Sequence, residues 1–344
     1  MTLPLLELLR DPPPRRPLGV FPAPLESHPA LAGTLGLETL LVKRDDRNGA
    51  AFGGNKLRAL EWLLPAAGPR IVTMGGFGST WCAALATVTR GTGQRAEVAL
   101  FPQPWTPAVA GALAATLAGA GVHLAARRWH LPLVVARAWR AARAGGPVTW
   151  LPAGGATPLA TFGSVNALLE SARQQEAAGA PRPDAIVVPY GSGGTAAGLL
   201  VGAWLLGWDT TIVAVRVTDP WFTTRRRLLR LAEQTLALLT RHGASAPAAR
   251  ASLLLRGDQL GAGYGHATPA CREAMEGFAA SGITLDVTYS AKACAALRSL
   301  AGSYRHLWFW HTFDPRLVAS SSDHPVMADA HRYAESLWPP PKSI

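Results

Sequence analysis

An alternation along the chain limits what it can fold into more than any other feature. Short apolar runs rich in β-formers recur at residues 39–42, 70–74, 96–101, 184–189, 211–217 and 306–310. Between them lie Ala- and Leu-rich stretches of helical length, such as 56–67, 79–90, 162–178 and 195–206. Glycines punctuate the joints. Strands that alternate with helices can all run in one direction, so the pattern predicts an α/β protein with parallel-rich sheets. Such sheets collect the loops that follow their strands along one edge, and ligands bind there.

The length, 344 residues, suggests two domains at roughly 150 residues each. Charged residues make up 16% and hydrophobic residues 49% of the chain, which excludes a disordered polymer. Two uncharged runs, 106–126 and 191–208, approach the ~20 residues that a membrane span requires. Gly interrupts both and Ala dominates them, so each reads as a buried helix, a Gly stop and a short strand, with no membrane partner expected. Three cysteines, Cys82, Cys271 and Cys294, are far apart and show neither CxxC nor zinc-ligand spacing. That excludes a disulfide scaffold and a metal site, and suits a reducing compartment. With no leader-like pattern at the start, a cytoplasmic location is the expectation.

The formal net charge is +11, yet only four of the 33 basic residues are lysines: Lys43, Lys56, Lys292 and Lys342. The arginines are scattered among Ala, Leu and Pro, apart from clusters at Arg127-Arg128 and Arg225-Arg226-Arg227. No helix-turn-helix, zinc-finger or RNA-binding signature accompanies them, so no nucleic-acid partner is expected. Solvated faces, or sites for an acidic cofactor, account for them.

Three Gly-bearing loops stand at predicted strand ends. Gly191-Ser192-Gly193-Gly194-Thr195 follows a clear buried strand and opens a helix. Glycines let the backbone approach an anion closely, and a helix N-terminus offers it free N–H groups and a positive dipole end. A phosphate cradle is the reading and a plain tight turn the alternative. No Lys follows as in a nucleoside-triphosphate loop. Gly75-Gly76-Phe77-Gly78-Ser79-Thr80 also leads from a strand into a helix; it suits a carboxylate, and a simple N-cap suits it equally. Gly53-Gly54-Asn55-Lys56 enters a third helix. A lysine in the first helical turn is electrostatically misplaced, and the same field helps it act as an amine nucleophile. A solvated surface lysine is the plainer alternative.

Together these pieces resemble the 1-aminocyclopropane-1-carboxylate deaminase and D-cysteine desulfhydrase family, pyridoxal-phosphate enzymes of the tryptophan-synthase-β fold type. Lys43-Arg44-Asp45-Asp46 followed by Gly53-Gly54-Asn55-Lys56 looks like the family's KRDD…GGNK signature. Gly75-Gly76…Ser79, the 191–195 loop, the Gly263-Tyr264-Gly265 segment, the 285–293 segment around Tyr289, Ser290 and Lys292, and Trp310-His311-Thr312 follow in the family's order, covering roughly residues 40 to 313.

The resemblance implies a two-domain fold with the cofactor in the interdomain cleft. Residues 1–57 with 166–344 would form the large domain and 58–165 the small one. It implies that Lys56 carries the cofactor as a Schiff base and then moves the substrate α-proton. Gly191, Ser192, Gly193, Gly194 and Thr195 would hold the phosphate, with Asn55 and Thr80 also at the cofactor. Ser79, and Thr80 beside it, would meet the substrate carboxylate. Tyr264 and Tyr289 would line the substrate face as acid/base or positioning groups; core packing is the bland alternative for both. Ser290 would sit near the pyridine nitrogen. A hydroxyl there can leave that nitrogen neutral and the electron sink weaker, which suits loss or exchange of a β-substituent and leans away from cyclopropane ring opening. The expected activity is β-elimination from a small, β-substituted amino acid such as D-cysteine, giving a 2-oxo acid and ammonia. β-Replacement, aminocyclopropane-carboxylate deamination and binding of the cofactor without turnover are the alternatives. A homodimer is expected. Three positions depart from the family: Thr80 stands for Asn, Trp81 for His, and Phe313-Asp314 for Gly-Gly. The first two put substrate orientation in doubt, since Trp81 could fill space a substrate would use.

Overall fold

The structure is a computed structural model that describes residues 3–50, 52–245, 251–319 and 321–339. Its first half runs β1 (Leu25–Ser27), α1 (Pro29–Leu35), β2 (Thr39–Arg44), α2 (Asn55–Ala66), β3 (Arg70–Gly76), α3 (Thr80–Thr89), β4 (Arg95–Phe101), α4 (Pro107–Leu117), β5 (Ala120–Leu124), α5 (Leu131–Arg143) and β6 (Val148–Trp150). Its second half runs α6 (Pro158–Ala177), β7 (Ala185–Tyr190), α7 (Gly194–Leu205), β8 (Thr211–Arg216), α8 (Arg225–Arg241), β9 (Ser252–Arg256), α9 (Pro269–Ala279), α10 (Ser290–Ala295), α11 (Leu297–Leu300), β10 (His306–His311) and α12 (Pro325–Leu337). The α/β alternation expected from the sequence is therefore present. Both long uncharged runs divide as expected, α4 giving way through Gly119 to β5 and α7 through Gly207 to β8. Among the described residues no helix is long and apolar enough to cross a membrane.

The chain forms two compact units, Met1–Leu63 with Ala156–Asp314, and Leu64–Gly155 with Pro315–Ile344. The first is built on a six-stranded sheet in the order β1-β2-β10-β7-β8-β9. Only β1 is antiparallel; every other pairing is parallel. Side chains alternate across the strands and are apolar on both sides, as a doubly covered sheet requires. Ile186, Val188, Tyr190, Trp308 and Trp310 face one core with α6 and α7. Val187, Val42 and Phe309 face the other, with α9 and α10. The carboxyl ends of β2, β10 and β7 lie side by side, so the loops after them share one edge of the sheet.

The second unit has four parallel strands in the order β5-β4-β3-β6. Trp81, in the first turn of α3, is buried there and donates its indole N–H to Thr73 Oγ1 at 2.8 Å. A Cβ at Gly155 would fall 2.5 Å from the Trp81 ring, and Gly155 has φ +67°, so only glycine fits above this indole. The segment after Pro315 belongs to this unit because the Leu317 backbone lies directly against Gly111 of α4.

Inside the first unit lies a buried, charge-balanced cluster. Arg58 of α2 bonds Asp45 (2.7 and 3.0 Å) and Glu170 of α6 (2.7 and 3.2 Å). Lys43 of β2 reaches Glu170 at 2.8 Å and also donates to the Ala23 carbonyl and Gln174 Oε1. Trp310 of β10 donates its indole N–H to Asp45 Oδ2 at 2.9 Å. Two cations and two carboxylates thus tie β2, α2, α6 and β10 together out of water. Removing one member strands the others. Glu170→Ala, which leaves Arg58 and Lys43 buried without it, should lower stability by about 3–5 kcal/mol in urea unfolding at unchanged m value. A loss below about 1 kcal/mol would show that the cluster does not hold α2.

Candidate active site

In the first unit, the loop from β2 delivers Lys56 to the first turn of α2. Its backbone is pinned: the Gly53 N–H donates to Asp314 Oδ2 at 2.6 Å, and the Gly54 N–H to the Asp45 carbonyl and Asn48 Oδ1. Asp314, a departure from the family pattern, therefore has a local role in holding the lysine-bearing loop. Lys56 is partly exposed, but the protein around it removes water from the amine. Burial alone lowers its pKa from 10.5 to about 8, with no carboxylate pulling it back. The positive end of α2 works in the same direction.

The loop after β7 enters α7 through Gly193, whose φ of +99° makes the turn and which provides no side-chain cap. The first N–H groups of α7 are thus left for another acceptor, the condition under which a helix N-terminus takes an anion. Asn55 donates its side-chain N–H to Thr195 Oγ1 at 2.7 Å, which joins the lysine's helix to this loop. Tyr289 comes to the same place, since a Cβ at Gly191 would lie 3.3 Å from its ring. The hydroxyls of Tyr264 and Tyr289 are 2.5 Å apart and their rings meet edge to face. Ser290, fully buried, is the next residue and opens α10. Lys56, Asn55, residues 191–195, Tyr264, Tyr289 and Ser290 therefore all belong to the first unit.

Ser79 and Thr80 belong to the second. Ser79 caps α3, its Oγ accepting the Cys82 N–H at 3.3 Å, and Thr80 begins the helix. Trp81 is locked into that unit's core and so does not occupy open space. Gln103, just past β4, accepts the Gly78 N–H at 3.0 Å and shapes the same loop. The sequence reading did not single out Gln103, and it gave Asp286 and Lys292 no role although both lie in the 285–293 segment it quoted. Lys292, with no exposed surface, donates to the Leu260 and Gly263 carbonyls at 2.7 and 2.6 Å and so holds the loop that presents Tyr264. The scarcity of lysine was its available signal. Of the four lysines, Lys342 lies outside the described residues.

The family model described as "Pyridoxal-phosphate dependent enzyme" matches residues 17–306. This chain belongs to that family. A curated relative, the Nocardicin C-9′ epimerase of Nocardia uniformis subsp. tsuyamanensis, is 34% identical over 322 residues, covering 88% of this chain and 93% of its own. The D-cysteine desulfhydrase of Salmonella paratyphi B is 32% identical over 313 residues, covering 86% and 90%. A solved structure titled as an ACC deaminase homologue superposes with a TM-score of 0.78 at 26% identity, over 97% of this chain and all of that one. The first unit fits the family's cofactor on its own terms. The uncapped start of α7 suits a phosphate, Lys56 an aldehyde and Ser290 a ring nitrogen.

Because its pKa is lowered from 10.5 to about 8, the Lys56 amine is half neutral near pH 8. Only the neutral amine attacks an aldehyde, so capture rises with pH. Capture of added pyridoxal phosphate by cofactor-free protein, followed by absorbance, should climb to about pH 8 and then level off. An ordinary lysine would keep climbing toward 10.5. Lys56→Ala should abolish the capture.

Proposed function

We propose that this protein removes the α-proton of a small amino acid and expels a substituent from its β-carbon, releasing a 2-oxo acid and ammonia. The observation that carries this reading is a single one. A desolvated lysine without a carboxylate partner stands in the first turn of α2 and is tied through Asn55 to an uncapped, Gly-rich helix start. Pyridoxal phosphate, once bound, supplies the electron sink that makes an α-proton removable. The N–H groups at the start of α7 would bind its phosphate. Lys56 would hold the cofactor, and its amine would take the proton from Cα. The Tyr264–Tyr289 pair shares one hydrogen bond and supplies a second proton carrier, which can protonate a departing group. The likeness to the D-cysteine desulfhydrase supports a β-substituted, D-configured substrate. We further propose a homodimer in a reducing cytoplasm, where the three buried thiols stay free.

A second reading is inversion at Cα, supported by the relative named as an epimerase. Inversion needs two proton carriers, and Lys56 with the tyrosine pair provides two. Full-length holoenzyme incubated with D-cysteine, other β-substituted amino acids and their enantiomers in deuterated water separates the readings. Elimination yields a 2-oxo acid and ammonia at equal rates. Inversion yields the opposite enantiomer carrying deuterium, with no ammonia. Neither product and no deuterium uptake from any amino acid would sink both. Tyr289→Phe should lower turnover by about 10²–10⁴-fold, the usual scale for a lost acid/base group, with cofactor absorbance retained.

A further inference from the structure

Residues 10–24, ahead of β1, carry six prolines, which fix the backbone and lack the N–H that a helix or sheet would use. The segment forms neither. It is fastened instead to α2. Glu61 of α2 is buried, and its carboxylate is satisfied by this segment. Oε2 and Oε1 accept the Arg15 guanidinium at 2.8 and 3.1 Å, and Oε1 also accepts the Leu18 and Gly19 N–H groups at 2.8 and 3.1 Å. The Arg16 N–H donates to the Glu61 carbonyl at 2.8 Å. The Arg58 guanidinium stacks 4.3 Å from the centre of the Phe21 ring.

The same segment reaches the loop that carries Lys56. The Val20 N–H donates to the Asn48 carbonyl at 2.7 Å. The Asn48 side chain in turn holds Gly54 at both backbone groups, donating to its carbonyl at 3.2 Å and accepting its N–H at 3.0 Å. Gly54 has φ +107°, so these bonds hold a bend that suits glycine alone. The approach is close. A Cβ at Gly19 would fall 2.8 Å from the Asn48 carbonyl oxygen and 2.5 Å from the Phe21 ring. Lys56 stands between the two fastenings, two residues after Gly54 and five before Glu61.

We propose that residues 15–21 form a strap that positions Lys56, fastened to α2 through Glu61 and to its loop through Asn48. Glu61 and Asn48 are positioning residues, and neither needs to touch the amine. The proposal rests on the reading above, in which Lys56 is the reacting amine. A segment that only covered a core would do so with apolar side chains. This one lies at the surface and directs its donors to a buried carboxylate and a loop carbonyl. The charged groups of α2 and its loop are committed elsewhere: Arg58 to Asp45 and Glu170, Glu61 to Arg15, Asp46 to Arg44, and Asp314 to the Gly53 N–H. Burial alone acts on Lys56, so its state depends on how well the loop excludes water, and the strap holds the loop in place.

The test follows the pH dependence of that amine in full-length protein freed of cofactor. Capture of pyridoxal phosphate is read by absorbance, and trace acetylation of Lys56 is read in parallel by mass spectrometry. Both should show a wild-type midpoint near pH 8. Arg15→Ala loosens the strap from Glu61, and Gly19→Ala pushes it off Asn48. Each should raise the midpoint by about one unit, toward 10.5, and so lower capture at pH 7 about tenfold. Arg15→Lys keeps a cation at Glu61 and should bring the midpoint back. Arg173→Ala removes an exposed ion pair with Glu7, outside the strap, and should leave the midpoint unmoved. An unmoved midpoint in folded Arg15→Ala protein overturns the proposal. So does a shift that Arg15→Lys does not reverse, or an equal shift in Arg173→Ala. Should Gly19→Ala fail to fold, the two Arg15 variants decide alone. If the wild type captures no pyridoxal phosphate, the reading of the site fails instead, and the acetylation midpoints still judge the strap.

Discussion

The buried charges of Lys43, Arg58, Asp45 and Glu170 are the constraint on which the first unit depends. Each of the four would be costly to bury alone, and each is acceptable because the other three are in place. The cluster is therefore an all-or-none device. It forms only when β2, α2, α6 and β10 are in one register, and that register sets the direction of α2 and hence of Lys56. The strand alternation explains the KRDD run. Lys43 and Asp45 point to the side of Arg58 and Glu170, whereas Arg44 bonds Asp46 and Glu26 on the other side. What looks like a signature of chemistry is the frame that aims the chemistry.

The same elementary field is used twice with opposite results. At the start of α7, the positive end of the helix meets no side-chain cap and is available to an anion. At the start of α2, it meets a lysine and opposes its charge. One end suits an anion and the other disfavours the charge on an amine. Asn55, bonded to Thr195, keeps the two ends in a fixed relation. Parallel strand order makes this possible, because it places the loops after β2, β10 and β7 at one edge.

The layers of the fold were legible because they follow from periodicity and Gly punctuation, which are local. The Gly-rich loops and Lys56 were legible for the same reason, as they interrupt that periodicity in a recognisable way. Lys292 and Asp286 were not. The first earns its place only when the 260–263 backbone folds over it, and nothing in the sequence near residue 292 announces those carbonyls. Asp286 was visible within a motif, but its hold on Ser290 depends on an i to i+4 turn whose geometry composition does not encode. For that reason the serine read as a free hydroxyl. Asp314 read only as a missing glycine, because its partner, the Gly53 amide, lies 261 residues away in sequence.

The departures from the family pattern bear on whether the site still works. Trp81 is not a stray bulk. Thr73 accepts its indole N–H and Gly155 leaves room for its ring, so the surroundings are adapted to it. Asp314 likewise satisfies an amide beside the lysine loop. Lys56 is the opposite case, a desolvated amine that no anion compensates. Its lowered pKa corresponds to roughly 3 kcal/mol against the charged form at neutral pH, a burden that a methionine of similar length would remove. A chain that tolerated such a group for no purpose would carry a strain with an easy remedy. The fold instead ties the helix that carries that amine to an anion-seeking helix start through Asn55, an arrangement in which the cost is intelligible if the amine reacts.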